Sequence, residues 1–157
     1  GYGAALRSGF AKAKGDLIFF TDSDRQFEIS DLKTFLGKIK DYDFIIGYRE
    51  KRKDPLPRIL YGKVYAKLVR FFFGIKVKDI NCAFKIFKKE VVPSIPLFSS
   101  GALINLEILA LARKRGYKFL ELPVAHRPRK AGKQTGGSLK VIIKAIANIF
   151  SLWWRLK

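Results

Sequence analysis

Asp16-Leu17-Ile18-Phe19-Phe20-Thr21-Asp22-Ser23-Asp24-Arg25-Gln26 decides how this chain reads. The apolar run Leu17 to Phe20 has the length and composition of a buried strand. It ends in two carboxylates, Asp22 and Asp24, with Gln26 just beyond them. Side chains two apart on an extended tip project to the same side. Asp22 and Asp24 can therefore meet one hard cation, with the Gln26 amide oxygen as a third polar partner. Mg²⁺ and Mn²⁺ take oxygen ligands and keep positions open for water and substrate phosphates. An acidic pair at the carboxyl end of a buried strand is thus a candidate metal–diphosphate site in an open α/β sheet. The competing reading is an ordinary surface turn, because Asp and Ser are turn formers.

Working outward, Ala4 to Lys14 predicts a helix with Ala5, Leu6, Phe10 and Ala13 on one side and Gly15 as its stop. Beyond the tip, Ser30 or Asp31 can cap a helix over Leu32 to Ile39, with Leu32, Phe35, Leu36 and Ile39 at helical spacing. Phe44 to Tyr48 predicts a second buried strand, which gives the strand–helix–strand rhythm of a parallel sheet. A polar loop follows from Arg49 to Pro57. A long helix over Arg58 to Phe73 then places Leu60, Val64, Leu68, Phe71 and Phe72 on one face, with Lys63, Lys67 and Arg70 on another. Asp79 to Phe87 predicts a strand entered through a turn. Ala102 to Arg115 predicts a helix ending at Gly116, with Leu103, Leu106, Leu109 and Ala110 inward. Lys118 to Val124 predicts a further strand, and a basic loop runs from His126 to Gly137.

The chain has 157 residues, 48% of them hydrophobic, which suits one domain with a real core and argues against disorder. Its formal charge of +19, from 32 basic and 13 acidic residues, implies polyanionic company: phosphates, an anionic membrane face or nucleic acid. Cys82 is the only cysteine, which excludes an intrachain disulfide and fits a reducing compartment. With one histidine, His126, a zinc site or a histidine-based triad has little to build on. The Gly1-Tyr2-Gly3 start lacks the ending of a P-loop. There is no initiator Met or signal peptide, and the expectation is a fragment whose first part is missing.

Residues 139–157 form the most polarised helix. At about 100° per residue, Lys140, Lys144, Asn148, Ser151 and Arg155 make one narrow stripe, and Ile142, Ile143, Ile146, Ile149, Phe150, Trp153 and Trp154 fill the rest. Lys144 leaves an apolar run too short to span a bilayer. Two readings stay open: a helix lying in a membrane interface, and a helix packed on the domain with its stripe in water.

Guanidinium groups recur where strands end. Arg49 lies just past the second strand, at the same edge as Asp22 and Asp24. Arg58 opens the long helix, where its charge and the helix N-terminus can face an anion together. Arg127 and Arg129 follow the last strand. Their common position argues for one phosphate-binding mouth. A basic nucleic-acid-binding α/β domain is the alternative, though it leaves the acidic pair unexplained.

Several stretches, in this order, carry a resemblance to a known family. They are Gly3-Ala4-Ala5-Leu6-Arg7-Ser8-Gly9-Phe10, Asp22-Ser23-Asp24-Arg25-Gln26-Phe27, Gly47-Tyr48-Arg49 and Asp79-Ile80-Asn81-Cys82-Ala83-Phe84-Lys85. Glu107, Gly116-Tyr117, Glu121-Leu122-Pro123-Val124 and His126-Arg127-Pro128-Arg129 through Gly132 complete the set. Over nearly the whole chain it resembles family 2 glycosyltransferases, specifically the dolichyl- or polyprenyl-phosphate sugar transferases. The resemblance departs at Ala83, where the family usually has Gly, and at Gly62, where it often has Ser.

The resemblance implies a GT-A fold, an α/β mixed sheet flanked by helices, with its first strands absent. Residues 1–138 would be the partial catalytic domain and 139–157 an appended interfacial helix. It implies inverting transfer of a sugar from a nucleotide-diphosphate sugar to a polyprenyl phosphate, on the cytoplasmic face of an anionic membrane, with Mg²⁺ or Mn²⁺ and no nucleic acid. Asp22, Asp24 and Gln26 match the metal motif. Arg49 and Arg58 match phosphate-contacting positions, and Arg129 with Arg127 matches the basic loop. Asp24, Arg49 and Arg129 are the candidates for catalysis. Asp22, Gln26, Arg58 and Arg127 are the candidates for binding donor and acceptor phosphates.

Overall fold

The computed structural model describes residues 1–50, 56–128 and 139–157, with the backbone alone for residues 57, 58 and 139–143. Among the described residues there are four strands and six helices: α1 (Tyr2–Lys12), β1 (Leu17–Thr21), α2 (Leu32–Lys38), β2 (Phe44–Arg49), α3 (Leu56–Phe73), β3 (Phe84–Lys88), α4 (Val91–Ser94), α5 (Ile104–Lys114), β4 (Phe119–Val124) and α6 (Leu139–Leu156). Short 3₁₀ turns, Ile29–Asp31 and Ile39–Asp41, flank α2.

The sheet order is β1-β3-β2-β4. β3 runs antiparallel to both β1 and β2, while β2 and β4 are parallel. β1, β2 and β4 therefore point the same way, and their carboxyl ends share one edge. The strand–helix–strand rhythm correctly implies that β1 and β2 are parallel, but they are not neighbours. β3 fills the gap between them, pairing Thr21 with Phe84 on one side and Ile46 with Lys85 on the other. Periodicity reports which segments are buried strands; it carries no information on which strand a later segment will join.

Aromatic side chains on the two faces of β3 hold both layers. Phe84 packs against Phe19, Phe27 and Phe35 at ring separations of 4.8, 5.7 and 5.0 Å. Phe87 packs on the other face against Phe10 and Phe44 at 5.3 and 4.8 Å. Each fully buried phenylalanine contributes about 2–3 kcal/mol of transfer free energy. Gly47 lets β2 and β3 approach closely, since a Cβ there would stand 2.9 Å from the Phe84 carbonyl oxygen.

Three helix faces differ from the periodic expectation. Leu36 of α2 is exposed, with Phe35 and Ile39 inward instead. On α1, Ala5 faces solvent and Phe10 carries the packing. On α3, Leu60, Val64 and Phe71 are exposed; Val69 is the buried residue, with Leu68 and Phe72 partly covered. α6 supplies that cover: Phe72 meets Phe150 at 4.8 Å and Trp153 at 5.6 Å, and Ile149 and Leu152 are buried. Among the described residues, no helix is long and apolar enough to cross a membrane.

Candidate functional site

The tip after β1 is built by its own side chains. Asp24 Oδ1 accepts the Gln26 backbone N–H at 3.1 Å, closing a short turn. Arg25 takes a left-handed backbone conformation at φ 60°, uncommon for a residue with a Cβ. The turn delivers Gln26 into the interior, where its Nε2 donates to the Arg127 carbonyl at 3.1 Å, while Arg127 N–H donates to the Gln26 carbonyl at 2.8 Å. Phe27 and His126 form an antiparallel bridge beside them. Asp31 does not cap α2 with its side chain; its Oδ2 accepts the Ala125 N–H at 2.8 Å instead. Side chain and backbone thus stitch the segment after β1 to the segment after β4. This is the meeting of acidic tip and basic exit that the shared strand edge predicts.

Asp22 is exposed and Asp24 half-buried at this edge. Hard carboxylate oxygens at an open strand end fit a hard divalent cation that keeps positions for phosphate. Gln26 is committed through its nitrogen to Arg127, which leaves its amide oxygen as the atom for a cation.

Arg49 stands at the end of β2, held bidentately by Asp79. Nε donates to Oδ2 at 2.6 Å and a terminal nitrogen to Oδ1 at 2.9 Å, with both side chains under a tenth exposed. Glu121 of β4 fixes the turn that carries Asp79, accepting the Lys78 N–H at 2.7 Å and that of Asp79. Burial pushes the Glu121 carboxyl above its ordinary range, against the pull of those N–H groups. Arg127 is exposed and pairs with Glu28 at 2.6 Å. Arg129 lies outside the described residues, as does the side chain of Arg58 at the start of α3.

Beneath the tip sits Lys85, fully buried, donating to the Cys82 carbonyl and to Asn105 Oδ1. Burial pulls its ammonium down to about 8; Asp79 and Asp22 act in its favour and Arg49 against it. Asp22, Asp79 and Arg49 therefore surround one interior cation. Burial pushes the neighbouring Cys82 thiol up to about 12, so it is an inert core thiol. On the opposite side of α5, the fully buried Glu107 accepts the N–H groups of Phe98 and Ser99 at 3.0 and 2.8 Å. That loop also receives α1, where Gly3 donates to the Ser100 carbonyl at 2.7 Å. A Cβ on Gly3 would lie 2.6 Å from the Ser99 carbonyl oxygen.

Asp79, Lys85 and Glu121 fall in stretches that carry the family resemblance but are assigned no role by it, and Asn105 falls in none. Lys85 left a signal, a single cation inside the apolar run Ala83-Phe84-Lys85-Ile86-Phe87. Asp79 and Glu121 each open one of those stretches, but nothing in the sequence gives their pairings, because the partners are 30 and 43 residues away.

An open sheet with one antiparallel strand, flanked by helices and carrying an acidic tip at its carboxyl edge, defines a GT-A-type α/β domain. The solved structure of glucosyl-3-phosphoglycerate synthase from Mycobacterium tuberculosis, in complex with phosphoglyceric acid, superposes with TM-score 0.71 at 20% identity, covering 98% of this chain and 55% of that one. The same enzyme with Mn²⁺ and uridine-diphosphate-glucose superposes at 0.70 and 18% identity, with 98% and 55% covered. The chain belongs to glycosyl transferase family 2, whose family model matches residues 1–95. It is 28% identical over 133 residues to a dolichyl-phosphate hexose transferase of Haloferax volcanii, which covers 82% of this chain and 58% of the relative. It is 26% identical over 164 residues to the glycosyltransferase AglD of the same organism, covering 99% and 26%. The chain thus spans between about a quarter and three-fifths of the length of these relatives.

Proposed function

We propose that this domain takes part in inverting transfer of a sugar from a nucleotide-diphosphate sugar to a polyprenyl phosphate at the cytoplasmic surface of a membrane. The observation that carries the reading is the stitched edge: Gln26 joins the acidic tip to Arg127, with Arg49 at the end of the intervening parallel strand. An acceptor phosphate oxygen would attack the anomeric carbon as the bond to the donor diphosphate breaks. That acceptor is ionised at neutral pH and needs little help from a base, which suits a site poor in histidine. Asp22 and Asp24, with the Gln26 oxygen, would hold Mg²⁺ or Mn²⁺, which when bound neutralises charge on the departing diphosphate. The guanidinium of Arg49, oriented by Asp79, and those of Arg58, Arg127 and Arg129 would bind phosphate oxygens.

The relatives named dolichyl-phosphate hexose transferase and undecaprenyl-phosphate sugar transferase support a lipid-phosphate acceptor. The exposed apolar side chains of α3 and α6, Leu60, Val64, Phe71, Phe150 and Trp154, lie among exposed Lys63, Lys67, Arg70 and Arg155. That mixture suits a surface seated among anionic headgroups, with residues 139–157 as the interfacial element. The nucleic-acid alternative accounts for the charge but not for the acidic tip.

The test is sugar transfer by the full-length protein from a panel of nucleotide sugars to polyprenyl phosphate. Asp24→Ala should abolish transfer at saturating Mn²⁺. Undiminished transfer by that variant removes the metal role assigned to the tip. In parallel, flotation with anionic against neutral vesicles should show binding to the anionic set only.

A further inference from the structure

Lys85 stands at the centre of the sheet, and the transfer described above makes no use of it. Its backbone pairs with Phe20 on one side and Ile46 on the other, so it lies directly under the two strand ends that carry Asp22 and Arg49. Nζ is tied to the Cys82 carbonyl and, at 3.1 Å, to Asn105 Oδ1, and it stands 5.4 Å from the centre of the Phe20 ring. Asn105 in turn shares a hydrogen bond with Tyr2 at the start of α1. An ammonium withdrawn from water in this way is expensive, and a methionine would fill the same space without that cost. Both partners of Nζ are oxygen acceptors, the surroundings that suit an ammonium. Asp22, Asp24 and Asp79 bring negative charge to this edge; Arg49 and Lys85 bring positive charge.

We propose that Lys85 is a positioning residue, a fixed counter-charge behind the Asp22–Asp24 tip that keeps a bare divalent cation weakly bound and favours its arrival together with a diphosphate. The proposal rests on the metal reading of the tip. A cation alone is repelled by Lys85 and Arg49, whereas a cation carrying a diphosphate is drawn to them.

The test is Mn²⁺ titration of the full-length protein followed by electron paramagnetic resonance, with circular dichroism to establish folding. Lys85→Met should bind bare Mn²⁺ several-fold more tightly than the unsubstituted protein. In the presence of inorganic pyrophosphate the order should reverse, with the variant several-fold weaker. A purely structural role would weaken both or move neither. Asn105→Asp keeps the lysine and lays a carboxylate against it, so it should shift both affinities in the same directions and serves where Lys85→Met does not fold. Unchanged or weaker binding of bare Mn²⁺ by a folded variant overturns the proposal. Asp24→Ala should lose Mn²⁺; if it titrates like the unsubstituted chain, the metal reading fails and takes the proposal with it.

Discussion

Arg49 can serve a phosphate only if it is held still, and the structure assigns that task to Asp79. Removing the carboxylate in Asp79→Ala takes the bidentate partner from a guanidinium that is 9% exposed. Two charge-assisted bonds, at 2.6 and 2.9 Å, disappear together. Unpairing a buried ion pair in this way costs about 3–5 kcal/mol. At roughly 2–4 °C per kcal/mol for a chain of this size, the melting temperature should drop by about 10 °C. Replacing both partners by apolar groups, Arg49→Met with Asp79→Leu, removes the stranded charge and should recover all but about 1 kcal/mol. Differential scanning calorimetry of the four species gives the coupling directly. Transfer by the full-length Asp79→Ala protein should fall roughly a hundredfold, because a guanidinium displaced by about 1 Å no longer meets the phosphate. A melting temperature within about 2 °C of the unsubstituted chain, or a double variant that loses the sum of the two single losses, refutes this account of the pair.

Glu107→Ala orphans two backbone N–H groups at Phe98 and Ser99, with an expected cost of about 2–4 kcal/mol and faster hydrogen exchange confined to that loop. The pH dependence of stability has a defined sign. Lys85 is depressed to about 8 in the folded chain, so between pH 8 and its unfolded value the unfolded state binds more protons and stability rises with pH. Cys82, raised to about 12, acts in the opposite direction above about pH 9, so the clear window is pH 8–9. Urea midpoints should show a gain of about 1 kcal/mol across it that Lys85→Met abolishes. Phe72→Ala should loosen α6 from α3 at a cost of about 2–3 kcal/mol, with a red shift in tryptophan emission as Trp153 loses its cover. Trp154→Ala, at a residue 75% exposed, should leave stability within about 0.5 kcal/mol and reduce retention on anionic vesicles.

What the sequence makes legible is local. The Leu17–Thr21 strand and its acidic tip follow from residues within a few positions of one another, and the parallel direction of β1 and β2 from the strand–helix–strand rhythm between them. The convergence of tip and basic exit follows from a single topological rule about strand ends. The pairings that rigidify the edge do not follow, because they join residues far apart: Arg49 with Asp79, Lys78 with Glu121, Gln26 with Arg127. α3 shows why periodicity misleads. Leu60, Val64 and Phe71 make a regular apolar stripe, yet the domain takes hold of the helix through Val69 and α6 through Phe72. A stripe shows that a helix has an apolar face and cannot show whether protein or another surface lies against it.

Two groups of cations in this chain obey different physics. Lys63, Lys67, Arg70, Lys144 and Arg155 are exposed on α3 and α6, where salt screens them beyond about 8 Å. They can draw the domain toward an anionic surface but contribute little to its interior. Arg49 and Lys85 are buried, each tied to named acceptors, and are screened far less. Their charge acts at the strand edge whatever the ionic strength. Under the proposed transfer, a domain that would meet a charged lipid surface and a charged donor at once needs both kinds. Attraction to the surface must be weak and reversible for turnover, whereas the field around a departing diphosphate must be fixed before the donor arrives. Two buried cations near an acidic tip and a set of exposed cations on α3 and α6 would meet both demands.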